Sequence, residues 1–157
     1  MGKAVILMGS KSDLDWSKKI AKSLESFGII SILRIASAHK APLRCNDIIK
    51  EYEKENVVFI TVAGRSNALS GFSDAQTHCP VIACPPYSEK FGGTDIYSSL
   101  RMPSGVAPMI VTEAENAALA AAKIFGLTDV TVRKKVLDYQ NKMREVLYKD
   151  DEELQNG

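Results

Sequence analysis

The stretch Ala4-Val5-Ile6-Leu7-Met8-Gly9-Ser10-Lys11-Ser12-Asp13 changes character at Gly9. Before it lie five apolar residues, the length and composition of a buried strand. After it come a hydroxyl, a cation, a second hydroxyl and a carboxylate, residue types that start helices and meet anions there. Downstream, Ile20, Leu24 and Phe27 share one helical face, and Gly28 follows as a C-terminal cap. Strand, polar turn and helix thus succeed one another before the second strand begins.

The same order recurs. An apolar run within Ile30 to Ala36 is followed by Ser37-Ala38-His39-Lys40, and Pro42 then opens a helix. Cys45, Ile48, Ile49 and Tyr52 sit at i, i+3, i+4 and i+7 of that helix. Further strand-like runs lie near residues 57–63, 80–84 and 106–111, and Ala117, Ala118, Ala121, Ile124 and Phe125 mark a helix that ends near Gly126. Strands alternating with helices argue for βαβ units and a parallel sheet. Right-handed crossovers then give a three-layer α/β sandwich with a parallel, flavodoxin-like central sheet. In such a sheet ligands bind at the carboxyl ends of the strands, where these polar turns lie.

Two regions depart from the rhythm. Residues 85–104 contain Pro85-Pro86, Gly92-Gly93 and Pro103, with a short helix expected around Asp95 to Arg101. A connection this long in a compact domain is usually functional or part of an interface. After Gly126 an extra C-terminal helix is expected over about 129–148. Its stripe of Val132, Val136, Tyr139, Met143 and Val146 needs a partner, either its own domain or a second subunit. Residues 149–157 are polar and acidic and are expected to fray. No internal repeat or second domain is visible, so residues 1–157 read as one domain.

The chain has 157 residues, 45% hydrophobic and 25% charged, enough for one buried core. A formal net charge of +1 offers no global field for nucleic acid or an anionic membrane. The apolar runs are strand-sized, too short for a membrane span. Met1-Gly2-Lys3 leads straight into a strand, so a cytoplasmic protein without a signal peptide is expected. Cys45, Cys79 and Cys84 have neither a paired framework nor zinc-type spacing and read as reduced, buried thiols.

Three polar loops carry the candidate chemistry. Ser10 and Ser12 offer hydroxyls to a phosphate beside unpaired N–H groups, and Asp13 is an acceptor for ribose hydroxyls. The same residues are also good N-caps, and both readings fit. The segment is not a Walker A loop, because the Gly-Lys-Ser/Thr ending is absent, nor a dinucleotide fingerprint, because it holds only one glycine. In the second loop, His39 supplies an imidazole, a group that can both take and return a proton. Lys40 can neutralise a phosphate or hold a carboxylate; a packing or capping histidine before Pro42 is the plainer alternative. His78, before a strand and without such company, reads as structural or exposed. In the third loop, Ala63-Gly64-Arg65-Ser66-Asn67, Gly64 lets backbone approach a ligand, and Arg65, Ser66 and Asn67 offer donors.

Met8-Gly9-Ser10-Lys11-Ser12-Asp13, Ser37-Ala38-His39-Lys40-Ala41-Pro42, Ala63-Gly64-Arg65-Ser66-Asn67 and Arg101-Met102-Pro103-Ser104-Gly105 together resemble the aminoimidazole ribonucleotide (AIR) carboxylase/mutase family of purine biosynthesis. The stretch Asn116-Ala117-Ala118-Leu119-Ala120-Ala121 fits as well, so the resemblance runs in order from about residue 4 to residue 126. Class I members rearrange the N5-carboxylated ribonucleotide. They typically carry arginine after Ser-Ala-His and small residues in the third loop. Lys40, Arg65-Ser66-Asn67 and Tyr97-Ser98-Ser99-Leu100-Arg101 instead resemble class II, the direct carboxylases familiar from the animal bifunctional enzyme. The resemblance implies reversible carboxylation of AIR by CO2 to 4-carboxy-5-aminoimidazole ribonucleotide (CAIR), with no metal and no cofactor.

It also implies roles. His39 is the proton acceptor, and the acid in reverse. Ser10, Ser12 and Lys40 hold the phosphate and Asp13 the ribose. Ser37, Gly64, Arg65 and Ser66 shape the pocket for the base and carboxylate. Family members assemble as homo-oligomers, octamers or tetramers, with sites at subunit boundaries, which implies that the 85–104 connection and the last helix complete a neighbour's site. Two alternatives stand beside this reading: the class I mutase, and a non-enzymatic flavodoxin-like binding or signalling domain. The second is poorly served, because a receiver needs an acidic pair after the first strand and Asp at the end of the third. That third strand ends Thr61-Val62-Ala63, and the first loop lacks a flavin-type phosphate loop.

Overall fold

A computed structural model describes residues 2–156. Five strands, β1 (Lys3–Met8), β2 (Ile30–Ile35), β3 (Val57–Val62), β4 (Val81–Ala83) and β5 (Met109–Ile110), form one sheet. Every pairing is parallel, and the strand order is β2-β1-β3-β4-β5. This is the flavodoxin-like order, and its direction of winding reverses between β1 and β3. The last two strands are shorter than the apolar runs at 80–84 and 106–111. Pairing nevertheless continues just past them, with Cys84 N–H donating to Thr61 O and Val111 N–H to Ala83 O, 2.9 and 3.0 Å.

Side-chain alternation along the strands divides the core into two layers. Ala4, Ile6 and Met8 of β1 and Val58, Ile60 and Val62 of β3 meet helices α1 (Leu14–Ser26) and α5 (Ala114–Phe125). Val5, Leu7, Val57 and Phe59 meet α2 (Pro42–Tyr52) and α3 (Ala68–Ala75) on the opposite face. Covering both faces explains why β3 is buried throughout and reads as a continuous apolar run. In α5, Ala114, Ala117, Ala118, Ala121 and Ala122 are all buried. Their small side chains let its backbone come close to the sheet and α1. Helix α1 ends in a Schellman motif: Gly28 has φ +76°, its N–H bonds Glu25 O, and Ile29 N–H bonds Leu24 O.

The C-terminal helix α6 (Val130–Asn156) is longer than the expected 129–148. Asp129 caps it, accepting from the N–H groups of Thr131 and Val132 at 2.9 and 3.2 Å. Residues 149–156 are helical rather than frayed. They are exposed but consist mostly of straight-chain Lys, Glu, Leu and Gln with Asp, and hold neither Gly nor Pro. Gly157 lies outside the described residues. The apolar stripe divides. Val132 and Val136 are buried in the core, and Tyr139 meets Phe27 edge to face with ring centroids 5.5 Å apart. Met143 and Val146, one and two turns on, are exposed. No helix among the described residues is long and apolar enough to cross a membrane.

All three cysteines are free and buried. Burial pushes the Cys84 thiol up to about 11, and burial likewise raises Cys45. Neither is a poised nucleophile. His78 is exposed.

Candidate active site

Three loops leave the carboxyl ends of β1, β2 and β3, and reversal of winding between β1 and β3 opens a crevice there. A cavity of about 610 Å³ fills it. All nine residues singled out from the sequence line this one space: Ser10, Ser12, Asp13, Ser37, His39, Lys40, Gly64, Arg65 and Ser66.

The first loop turns through a single 3₁₀ turn, Lys11–Asp13, directly into α1. The Asp13 carboxylate Oδ2 accepts from the Ser10 N–H at 2.9 Å and from Ser10 Oγ at 3.3 Å. Ser10 Oγ and Ser12 Oγ are 2.6 Å apart. Capping and site-building are therefore one arrangement here. Asp13 fixes the turn with one oxygen while the two hydroxyls stand together on the cavity wall.

The second loop closes on itself. Ser37 Oγ accepts from the Lys40 N–H at 3.2 Å, and the Ala41 N–H donates to Ser37 O at 2.8 Å. Pro42 then starts α2 at a position where no N–H is needed. His39 and Lys40 are exposed at the cavity mouth, on the turn that these two bonds close.

The third loop carries the one non-glycine residue with positive φ among the described residues, Arg65 at +61°. A non-glycine residue in this region is uncommon and is held there by its surroundings. Its N–H donates to Asp95 Oδ2 at 3.3 Å. Two residues on, the Asn67 N–H donates to Ser98 Oγ at 2.8 Å, and Asn67 Nδ2 donates to Ser99 Oγ at 2.9 Å. Asn67 also caps α3 through Ser70 N–H.

Those partners belong to the long connection, which the sequence marked as unusual without resolving its residues. A 3₁₀ turn at Thr94–Ile96 runs into the short helix α4 (Tyr97–Leu100). Pro86, Ser88, Lys90, Phe91 and Asp95 line the same cavity as the three loops. The connection therefore walls the site of its own chain. Length and Gly-Gly content signalled a functional segment; the particular residues depend on contacts some 30 positions away, which no spacing rule reveals.

The electrostatics suit an anionic ligand. Three cations, Lys40, Arg65 and Lys90, line the cavity against two carboxylates, Asp13 and Asp95. Among the described residues the ion pairs are Lys3–Glu55, Arg34–Glu51 and Lys50–Glu53, so none of the three cavity cations is committed to one. A polyhydroxylated phosphate ester would find hydroxyls, cations and a carboxylate within one cavity, with an imidazole at its mouth.

Known proteins resemble this chain in sequence and in fold. The family model described as AIR carboxylase matches residues 3–146. The phosphoribosylaminoimidazole carboxylase of Archaeoglobus fulgidus is 70% identical over 152 residues, 97% of this chain and 84% of that protein. That of Treponema denticola is 49% identical, covering 96% of each. The human bifunctional phosphoribosylaminoimidazole carboxylase/succinocarboxamide synthetase is 45% identical over 136 residues, 85% of this chain but 32% of that longer protein. In structure, Treponema denticola PurE superimposes with a TM-score of 0.95 at 47% identity, covering 98% of this chain and 99% of that one. The chain belongs to the AIR carboxylase family of enzymes.

Proposed function

We propose that the protein carboxylates AIR directly with CO2, reversibly, to give CAIR in purine (IMP) biosynthesis. The observation that carries this is the family match over residues 3–146, together with the convergence of Ser10, Ser12, His39, Lys40 and Arg65 on one cavity. Relatives bearing the carboxylase name include one 70% identical to this chain.

The chemistry asks little of the protein beyond placement. The aminoimidazole behaves as an enamine, so its nitrogen lone pair makes C4 nucleophilic. C4 attacks the carbon of CO2, a C–C bond forms, and a C–O π pair moves onto oxygen as carboxylate. C4 then carries both a proton and the new carboxylate. Loss of that proton returns the C–H pair to the ring and restores aromaticity. His39 takes the proton, and returns it in the reverse direction. Ser10, Ser12 and Lys40 hold the phosphate, Asp13 the ribose, and Ser37, Gly64, Arg65 and Ser66 the base and carboxylate. Holding ring and CO2 together in a partly closed cavity is the main source of acceleration. The residues at hand supply this without a cofactor.

Lys40 and Arg65 favour the direct carboxylase over the class I mutase, because arginine and small residues are what class I sites carry at these positions. A homo-oligomer, octamer or tetramer, is part of the same proposal, supported by the exposed Met143, Val146 and Leu147 on α6; light scattering gives its mass. We place it in the cytoplasm, with its small-molecule substrates and without nucleic acid or membrane partners.

Isotope incorporation tests the reaction. Protein, AIR and carbon-13-labelled CO2 should yield CAIR with label in the carboxylate alone. Unlabelled product, or none, would remove the direct carboxylation.

A further inference from the structure

We propose that Asp95 is a positioning residue: from the long connection it holds the Arg65 main chain in its left-handed turn, and so sets the third loop of the nucleotide site. This rests on the carboxylase reading for its consequence in turnover, but not for the hold itself.

Four observations converge. Arg65 has φ +61°, a conformation that an L side chain rarely adopts without support. Its N–H finds its acceptor in Asp95 Oδ2, 3.3 Å away and 30 residues along the chain. The same oxygen lies 3.6 Å from where a Cβ on Gly64 would stand, so the carboxylate rests against the Gly64–Arg65 peptide. Finally, Asp95 is itself fixed. Its carbonyl accepts from Ser98 Oγ at 2.7 Å, and that hydroxyl also accepts from the Asn67 N–H.

The third loop is thus sewn to residues 95–99 at both ends, at Arg65 by a carboxylate and at Asn67 by two hydroxyls. Between the two anchors lies Ser66, and the guanidinium of Arg65 departs from the anchored residue itself. Releasing Arg65 from Asp95 lets its backbone leave the left-handed region, which redirects the side chain and the N–H groups lining the cavity. The Asn67 anchor remains, so the fold persists while the site loosens.

Two measurements on Asp95→Ala and Asp95→Asn separate the hold from its consequence. Arg65 is exposed, so trypsin reports the loop directly. Cleavage after Arg65 should accelerate about fivefold in Asp95→Ala, the scale of one ordinary hydrogen bond lost at a solvent-exposed loop. Asparagine keeps an acceptor oxygen and should restore the wild-type rate to within about twofold. In parallel, kcat/KM for AIR should fall about tenfold in Asp95→Ala and recover at least half-way on a logarithmic scale in Asp95→Asn. The thermal midpoint should stay within a few degrees, as expected of a surface hydrogen bond. Equal tryptic rates in wild type and Asp95→Ala overturn the hold. A faster rate with kcat/KM unchanged overturns the role in positioning. Absence of turnover in the wild type would count against the carboxylase reading, while the tryptic comparison would still decide whether Asp95 holds the loop.

Discussion

The Gly9 N–H donates to the carbonyl of Val62 at 2.9 Å, continuing the β1–β3 ladder one residue beyond the end of β1. The first and third loops therefore leave the sheet side by side, at the place where the winding reverses. Ala63 reinforces the fit, its Cβ lying 3.4 Å from where a Cβ on Gly9 would stand. Serine hydroxyls and Arg65 are brought to one cavity by this single adjacency.

His39→Asn is expected to lower kcat by at least about a hundredfold, the usual scale of a lost proton-transfer group. AIR binding, measured by calorimetry, should survive, because the proposed mechanism assigns the phosphate and ribose contacts to other residues. Near-normal turnover in that variant would take His39 out of proton transfer.

Lys40→Ala should raise KM for AIR by about tenfold, as expected when an exposed charge partner of a phosphate is lost. The deficit should shrink as salt rises, since salt weakens the wild-type contact. Lys40→Arg is the sharper comparison, because arginine presents a planar fork where lysine presents a point charge. Affinity for AIR and the preference for CO2 should both change; if neither does, Lys40 does not set class.

Asp13 has two expected roles that separate by substitution. Asp13→Ala removes the acceptor for the Ser10 N–H and should destabilise the fold by about 1 kcal/mol in urea unfolding. Asp13→Asn keeps an acceptor and should recover most of that stability. AIR affinity should remain reduced if the carboxylate itself binds the ribose. Full recovery of both would leave only the cap.

Cys84 gives stability a defined alkaline limit. Its thiol stays protonated in the folded chain up to about 11, against 9.0 for an ordinary solvated thiol. Between those values the unfolded chain loses the proton while the folded chain keeps it, so unfolding gains. The contribution is intact below pH 9 and is lost as pH rises towards 11, by about 2–3 kcal/mol in all. Chemical unfolding of Cys84→Ala across that range should show a flatter decline than wild type, from a lower starting stability. Parallel declines would mean that other groups govern the alkaline limit.

What could be read in advance followed from local pattern. Ala4–Met8 and Val57–Val62 are buried on both faces, so continuous apolar runs announced them, and the polar turns after them fell at the cavity by topology alone. Cys45, Ile48 and Ile49 face the core as their spacing required. Long-range contacts were not legible. β4 and β5 are short because their length depends on what the neighbouring strand offers. The tie between Arg65 and Asp95 joins two loops with no shared period. At the C-terminus, polarity suggested fraying, whereas local helix propensity carries α6 through residue 156. The stripe on α6 was ambiguous for a physical reason: half of it does pack on its own chain, and half does not.

The most direct measurement follows ultraviolet absorbance of CAIR formation with purified protein, supplying AIR plus CO2 in one cell and the N5-carboxylated ribonucleotide in another. Turnover that rises with CO2 and is absent with the N5 compound is the expected result. Rapid conversion of the N5 compound would contradict it and make the protein a mutase. No turnover in either cell would return the chain to a ligand-binding domain on the same fold.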